Sequence, residues 1–207
     1  KLIASFALVW IYTSYYPDRS SADIFKYFDD AVSIKANLSE SKTLNVFDVL
    51  LQSSSKIKLQ EVIQDTQHWD PKGKIFTNDN RTIISLNLLL LYLSQGFYPI
   101  HALLFSLICF LGLLALYDFF KRNSGLSPKF IFTLTFISPS LILWTSGILK
   151  ESWLFFCLGF ALYFSQKLRE RYSWKSLFLL LLFITLLAGI KQYVLLFISP
   201  LLVNIAF

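Results

Sequence analysis

The sequence predicts an all-α fold: a polytopic transmembrane helical bundle with an extracytoplasmic loop carrying short amphipathic helices. Three observations predict it. The 207 residues are 55% hydrophobic and only 15% charged, with a mean hydropathy of +0.56, where about a quarter of a soluble domain is charged. The apolar residues come in unbroken runs and not in the alternation of a membrane β-strand. Basic residues gather in short segments between those runs. A disordered chain and a disulfide-stapled secreted module are excluded. Cys109 and Cys157 both lie in apolar runs and read as small core hydrophobes. The chain opens at Lys1, contains no Met, and starts and stops inside apolar runs. It therefore reads as the N-terminal part of a longer protein, with 1–207 a single transmembrane domain.

The elements follow from a length test, since a spanning helix needs about 20 apolar residues. Leu2 to Tyr16 is a truncated first span ending in an aromatic belt, Tyr12, Tyr15 and Tyr16. Residues 17–82 form the loop. Within it, Ser20-Ser21-Ala22-Asp23 resembles a capped helix start, with Ile24, Phe28, Ala31 and Ile34 at helical spacing. A short amphipathic helix at the outer membrane surface is expected there. Ser39 to Gln52 and Ile57 to Trp69 read as two more, and Asp70-Pro71-Lys72-Gly73 as a turn. Ile83 to Ser94, broken off by Gly96 and Pro99, is an isolated run too short to cross. Ile100 to Phe120 is a full span. Phe130 to Thr145, with Ser138 and Pro139 inside it, is shorter, followed by Trp153 to Ser165, Leu177 to Ala188 and Tyr193 to Phe207.

Charge supplies the orientation. The chain carries a formal +6 and a pI near 9.3. Lys121, Arg122 and Lys129 against Asp118, with Lys167, Arg169, Arg171 and Lys175 against Glu170, hold five of the six net charges. Basic residues in short loops follow the positive-inside rule, and no aromatic-interleaved basic groove for nucleic acid accompanies them. With those two segments in the cytoplasm, Gly96 to Pro99, Ser146 to Ser152 and Gly189 to Gln192 fall outside. The loop has nine Lys/Arg and ten Asp/Glu and does not vote; the shortness of the 83–94 run places it outside.

That outer face gathers Asp18, Asp23, Asp29, Asp30, His68, Asp70, Asp79, Asn80 and Arg81 from the loop, with Lys150, Glu151, Lys191 and Gln192 from turns between spans. Charges at span ends between apolar helices are functional candidates. Asp23 leads. It sits on the first turn of the surface helix, with Tyr27 and Ala31 on the same face at four-residue steps, and a carboxylate there is placed to act as a base toward a substrate at the membrane surface. An acid at a helix start also offsets the macrodipole, and spacing does not separate the two readings. Asp29 and Asp30 could join Asp23 on a divalent cation, but adjacent residues on a helix diverge by about 100°, which favours a solvated face. His68-Trp69-Asp70 reads as a surface turn, and His101 as an interfacial polar residue. Lys150-Glu151 reads equally as a self-neutralising pair or a phosphate contact. Lys191, with no acidic neighbour in sequence, is the better cation.

This order of features resembles the GT-C superfamily of membrane glycosyltransferases, in particular its protein mannosyltransferase and aminoarabinose transferase branch. The resemblance rests on Asp23-x-x-x-Tyr27-x-x-x-Ala31 after the first span and on the short apolar run from Ile83 to Gly96. It rests also on a span ending in Leu116-Tyr117 and Lys121-Arg122, on Ser138-Pro139 leading to Lys150-Glu151, and on the break at Gly189-Ile190-Lys191. The stretch Asn78-Asp79-Asn80-Arg81-Thr82 departs from the family pattern. The resemblance implies an inverting transferase of the bacterial inner (plasma) membrane that takes a sugar from a polyprenyl-phosphate lipid and passes it to a glycan, lipid or protein acceptor. Asp23 would be the catalytic base; Tyr27, Lys150, Glu151 and Lys191 would bind substrate, with Lys150 or Lys191 on the lipid phosphate. No cofactor is implied beyond the divalent cation considered above. Two other readings stay open: a polymerase of the exopolysaccharide or O-antigen kind, and a lipid-linked glycan transporter. The transporter would want paired discontinuous helices and acids near the midplane.

Single cysteines introduced across positions 20 to 80 are expected to label from the extracytoplasmic side; labelling only from the cytoplasm overturns the topology.

Overall fold

The computed structural model describes residues 1–15, 19, 22–41, 44–51, 56–69 and 79–206. It is all-helical, 84% helix with no strand among the described residues. The order is α1 (Leu2–Tyr15), α2 (Asp23–Glu40), α3 (Val46–Leu51), α4 (Lys56–Ile63), α5 (Asp79–Ser94), α6 (Tyr98–Asn123), α7 (Pro128–Phe132), a π turn (Thr133–Ile137), α8 (Pro139–Trp144), α9 (Lys150–Glu170), α10 (Trp174–Ile190) and α11 (Gln192–Ala206).

The isolated run at 83–94 forms the later turns of α5, whose first turn, Asp79 to Thr82, was expected to belong to the loop. It stops at Ser94 because Gln95 and Gly96 turn left-handed, at φ 52° and 89°. Several expected boundaries change. Pro99 does not break the chain: it sits in the first turn of α6, where a proline's missing N–H costs nothing. The expected span at 130–145 divides into α7, the π turn and α8, with Pro139 opening α8. Ser39 to Gln52 is not one helix, since α2 runs on to Glu40 and α3 is separate; Ile57 to Trp69 is helical only to Ile63. The cap of α2 is Ala22, with no side-chain cap bond. Ser20, Ser21 and the expected turn at 70–73 lie outside the described residues. Only α6 is long and apolar enough to cross a membrane among the described residues; α1, the α7–π segment and α10 are shorter apolar helices.

Packing is organised on α6 and α9. They run parallel, Phe105 beside Trp153 at one end and Asn123 beside Gln166 and Arg169 at the other. At the middle the two backbones touch: a Cβ on Gly159 would fall inside the Gly112 carbonyl oxygen, and one on Gly112 would strike the Phe155 and Phe156 backbone. Small residues allow this approach. Helix α10 returns antiparallel along α9, with Phe183 stacked on Phe160 and Phe164 at centroid distances of 5.0 and 5.9 Å. The buried Cys109 and Cys157 fill these seams.

The loop helices build the other half of the core. Ile24, Phe25, Phe28, Ala31, Ile34 and Leu38 of α2 are buried in one cluster with Ile83, Ile84, Leu88 and Leu91 of α5. So α2 packs on α5, and its apolar stripe faces protein, where the sequence had it lying on the membrane surface. The Tyr98 hydroxyl donates to the Ile24 carbonyl at 3.0 Å. His101 is fully buried, which corrects its reading as interfacial: Nε2 lies 2.6 Å from Ser94 Oγ and Nδ1 2.8 Å from Asn87 Oδ1. Those bonds fix the corner between α5 and α6. The two basic segments lie together at the opposite end of the bundle, where Arg122 bonds Asp118 at 3.0 Å and reaches Glu170 at 3.4 Å.

Gly112→Ala and Gly159→Ala are each expected to force α6 and α9 apart, at a cost of about 1–3 kcal/mol. A lowered thermal midpoint in detergent, against a smaller fall for Gly125→Asn, which meets no clash and bears only the strain of a left-handed φ of 66°, checks this.

Candidate functional site

At the end away from the basic segments, the first turns of three helices meet. Asp23 opens α2; its side chain lies outside the described residues, as do Asp18, Asp70 and the side chain of Asp79. Tyr27, one turn further, is buried, and its hydroxyl donates to Asn80 Oδ1, in the first turn of α5, at 3.4 Å. The ammonium of Lys150, first residue of α9, stands over the Tyr27 ring at 5.6 Å from the centroid. Beneath them Gly147 packs so closely that a Cβ there would meet Leu8 of α1 at 2.8 Å and Ile24 of α2 at 3.9 Å. The chain between α8 and α9 is held by Ser152, whose Oγ donates to the Gly147 carbonyl at 3.1 Å.

The expected pairings are partly exchanged. Lys150 and Glu151 do not neutralise one another in the manner considered for the sequence. Glu151 instead accepts from Lys191 Nζ at 2.9 Å, so Lys191, expected to stand as the better cation, is an ion-pair partner. Burial disfavours its charge, but the hydrogen bonds and charges of Glu151 and Tyr193 together outweigh that and hold the ammonium above its ordinary value. The signal was invisible in sequence because the partners are 40 residues apart. Asp29 is bound by Arg19 in a two-point pair, Nε to Oδ2 and Nη2 to Oδ1, both at 2.8 Å. Asp30 accepts the backbone N–H groups of Gln67 and His68 at 3.0 and 2.8 Å. Among the described residues no three His, Cys, Asp or Glu side chains gather in a metal-binding set.

Arg81 gains a role that sequence reasoning gave it only as one of many outer polar groups. It is buried in the first turn of α5, its guanidinium 5.3 Å from the centroid of the buried Trp69 ring, and burial pulls its pKa below the ordinary arginine value. With Thr82, Ser85, Leu50, Leu86 and Leu89 it lines a cleft of about 270 Å³. Thr82 Oγ1 donates to the Gly189 carbonyl at 3.1 Å, tying α5 to the end of α10. A basic residue in the first turn of an apolar helix was the available signal.

No protein-family model, curated protein or solved structure matches the chain. The chemistry is therefore read from the geometry. Helix N-termini present unpaired N–H groups and a partial positive charge, each contributing about 0.3–1 kcal/mol toward an anion and up to about 2 where partly buried. Three such ends meet here with the Lys150 ammonium beside them, and each also carries an acid in its first turn, Asp23, Asp79 and Glu151.

The Lys191–Glu151 pair sets a pH dependence. Lys191 is raised, so the stability it contributes is full below the unfolded lysine pKa, about 10.4, and is lost as pH rises through the higher folded value. The thermal-midpoint difference between wild type and Lys191→Met is expected to stay level from neutral pH to about 9 and to shrink above about 10.4; a difference that already vanishes near pH 8 overturns the pairing.

Proposed function

We propose that this chain is part of a polytopic membrane glycosyltransferase of the GT-C kind, in the bacterial inner membrane, acting at the extracytoplasmic face on a polyprenyl-phosphate sugar. The observation that carries the reading is the meeting of the α2, α5 and α9 N-termini around Tyr27 and Lys150. A lipid-linked sugar brings a phosphate to the membrane surface, and the leaving phosphate gains charge as the glycosidic bond breaks. Fixed N–H groups and cations are worth most where charge develops.

Asp23, at the start of α2, is the base. In the proposed step the acceptor hydroxyl oxygen attacks the anomeric carbon from the face opposite the phosphate. Its proton passes to the Asp23 carboxylate, and the electron pair of the breaking C–O bond leaves on the phosphate oxygen. Lys150 counters the phosphate charge, whereas Lys191 holds Glu151 and so keeps the first turn of α9 in place. The basic segments lying together at the far end of the bundle support the orientation.

With the full-length protein and radiolabelled polyprenyl-phosphate sugar, Asp23→Asn is expected to lose about a hundred- to ten-thousand-fold in transfer rate, the usual contribution of a general base, with donor binding kept. Lys150→Ala is expected to weaken donor binding itself. Unchanged transfer by Asp23→Asn removes the base.

A further inference from the structure

The α2 helix carries a second polar strip that the donor reading does not use. Lys26, Asp29, Asp30 and Ser33 recur at three- and four-residue steps along it, beside the strip of Tyr27, Ala31, Ile34 and Leu38 that is buried against α5. Above the polar strip lies a cavity of about 340 Å³, within the size range of small-molecule sites. Its walls are built. On one side the two-point Arg19–Asp29 pair fixes both groups, with the Arg19 guanidinium 4.2 Å from the Phe25 ring centroid. On the other, the buried Asp30 clasps the backbone of 67 and 68, and His68 Nδ1 lies 3.3 Å from Asp30 Oδ2. Asp65, held by Asn37 Nδ2 at 2.9 Å, closes the rim.

The lining decides the ligand class. The residues on the cavity wall are all polar or charged, with donors, acceptors and charges of both signs among them, and their hydrocarbon stems form part of the wall as well. A purely apolar chain would leave these polar groups unpaired, Asp29, Asp30 and Asp65 oppose an anion, and the C–H faces of a sugar suit the hydrocarbon part of the wall. Hydroxyl groups, which both donate and accept, match such a wall. Position supplies the role. Position 23 lies three residues before Lys26 and four before Tyr27, at the end of α2 where the two strips start. A base there takes the proton of a hydroxyl arriving from the cavity strip as that oxygen attacks a sugar whose phosphate is held on the Tyr27 strip.

We propose that the cavity binds a polyhydroxylated glycan, and that this glycan is the acceptor in the transfer described above, on which its role as acceptor rests.

The test uses the full-length protein in nanodiscs, with saturation-transfer NMR against a panel of defined neutral oligosaccharides and against octyl phosphate as an amphiphile control. Wild type is expected to bind at least one oligosaccharide. Ser33→Trp, which fills the cavity, is expected to lose that binding at least tenfold, and Asp29→Asn, which loosens one wall without adding bulk, to weaken it several-fold. Lys150→Ala is expected to keep it. Equal binding by Ser33→Trp, or no oligosaccharide bound by wild type, overturns the cavity as a glycan site. A second arm separates this from the transferase reading. Ser33→Trp is expected to keep donor binding while transfer to the bound oligosaccharide falls. If the oligosaccharide binds as stated and wild type never transfers sugar to it, the acceptor role is overturned; if wild type consumes no donor at all, the transferase reading falls with it and the glycan site stands.

Discussion

The contact between the backbones of Gly112 and Gly159 fixes where α9 lies against α6, and the end of the molecule that holds the candidate site is built from there. Two parallel helices in backbone contact have little freedom to slide, because each neighbouring side chain is interlocked: Phe105 with Trp153 on one side of the crossing, Leu113 and Leu162 on the other. The level of Lys150 and Glu151 follows from that crossing. So does the seat of α10, whose Phe183 stacks along α9 and whose C-terminus thereby reaches Glu151 through Lys191 and Thr82 through Gly189.

A second constraint sets α5. The chain Ser94, His101, Asn87 closes the corner between α5 and α6 with two short hydrogen bonds, and Asn87 Nδ2 donates to the Ile83 carbonyl at 2.9 Å, so the network is tied into α5 itself. All three side chains are buried, where an unmade hydrogen bond costs more than a made one gains. Phe28 meets the imidazole edge-on at 4.9 Å, which carries the constraint into α2. The first turns of α2, α5 and α9 are therefore positioned by this packing together with contacts of their own, Tyr98 to the Ile24 carbonyl, Thr82 to the Gly189 carbonyl and Lys191 to Glu151.

Helical class and the short α5 were legible because they depend on local facts: unbroken apolar runs, and a dozen residues ending at a left-handed glycine. Pro99 was misread because a proline means opposite things inside a helix and in its first turn, and sequence does not say which position it occupies. The interruption at 130–145 could be located at Ser138-Pro139, but the π turn before it has no comparable marker. Asp23, Tyr27 and Lys150 were singled out by spacing, and of these Tyr27 and Lys150 lie together in the structure. The partners were not: Lys191 with Glu151, Asp30 with the backbone of 67 and 68, and His101 with Asn87 are all tertiary pairings. The function of His101 as a corner lock depends on burial, which its apolar neighbours hinted at and its own polarity concealed.

The Lys191–Glu151 pair has a directional character. Helices α9 and α10 run antiparallel, so the N-terminal end of one lies beside the C-terminal end of the other. Glu151 sits at the positive end of α9 and Lys191 at the negative end of α10, so within this antiparallel pair each charge complements its own helix as well as its partner, while Lys191 also stands just before the start of α11. Exchanging the two residues would preserve the ion pair while setting each charge against the helix that bears it. The seam between α9 and α10 thus has a polarity: it distinguishes two arrangements with identical composition and identical pairing.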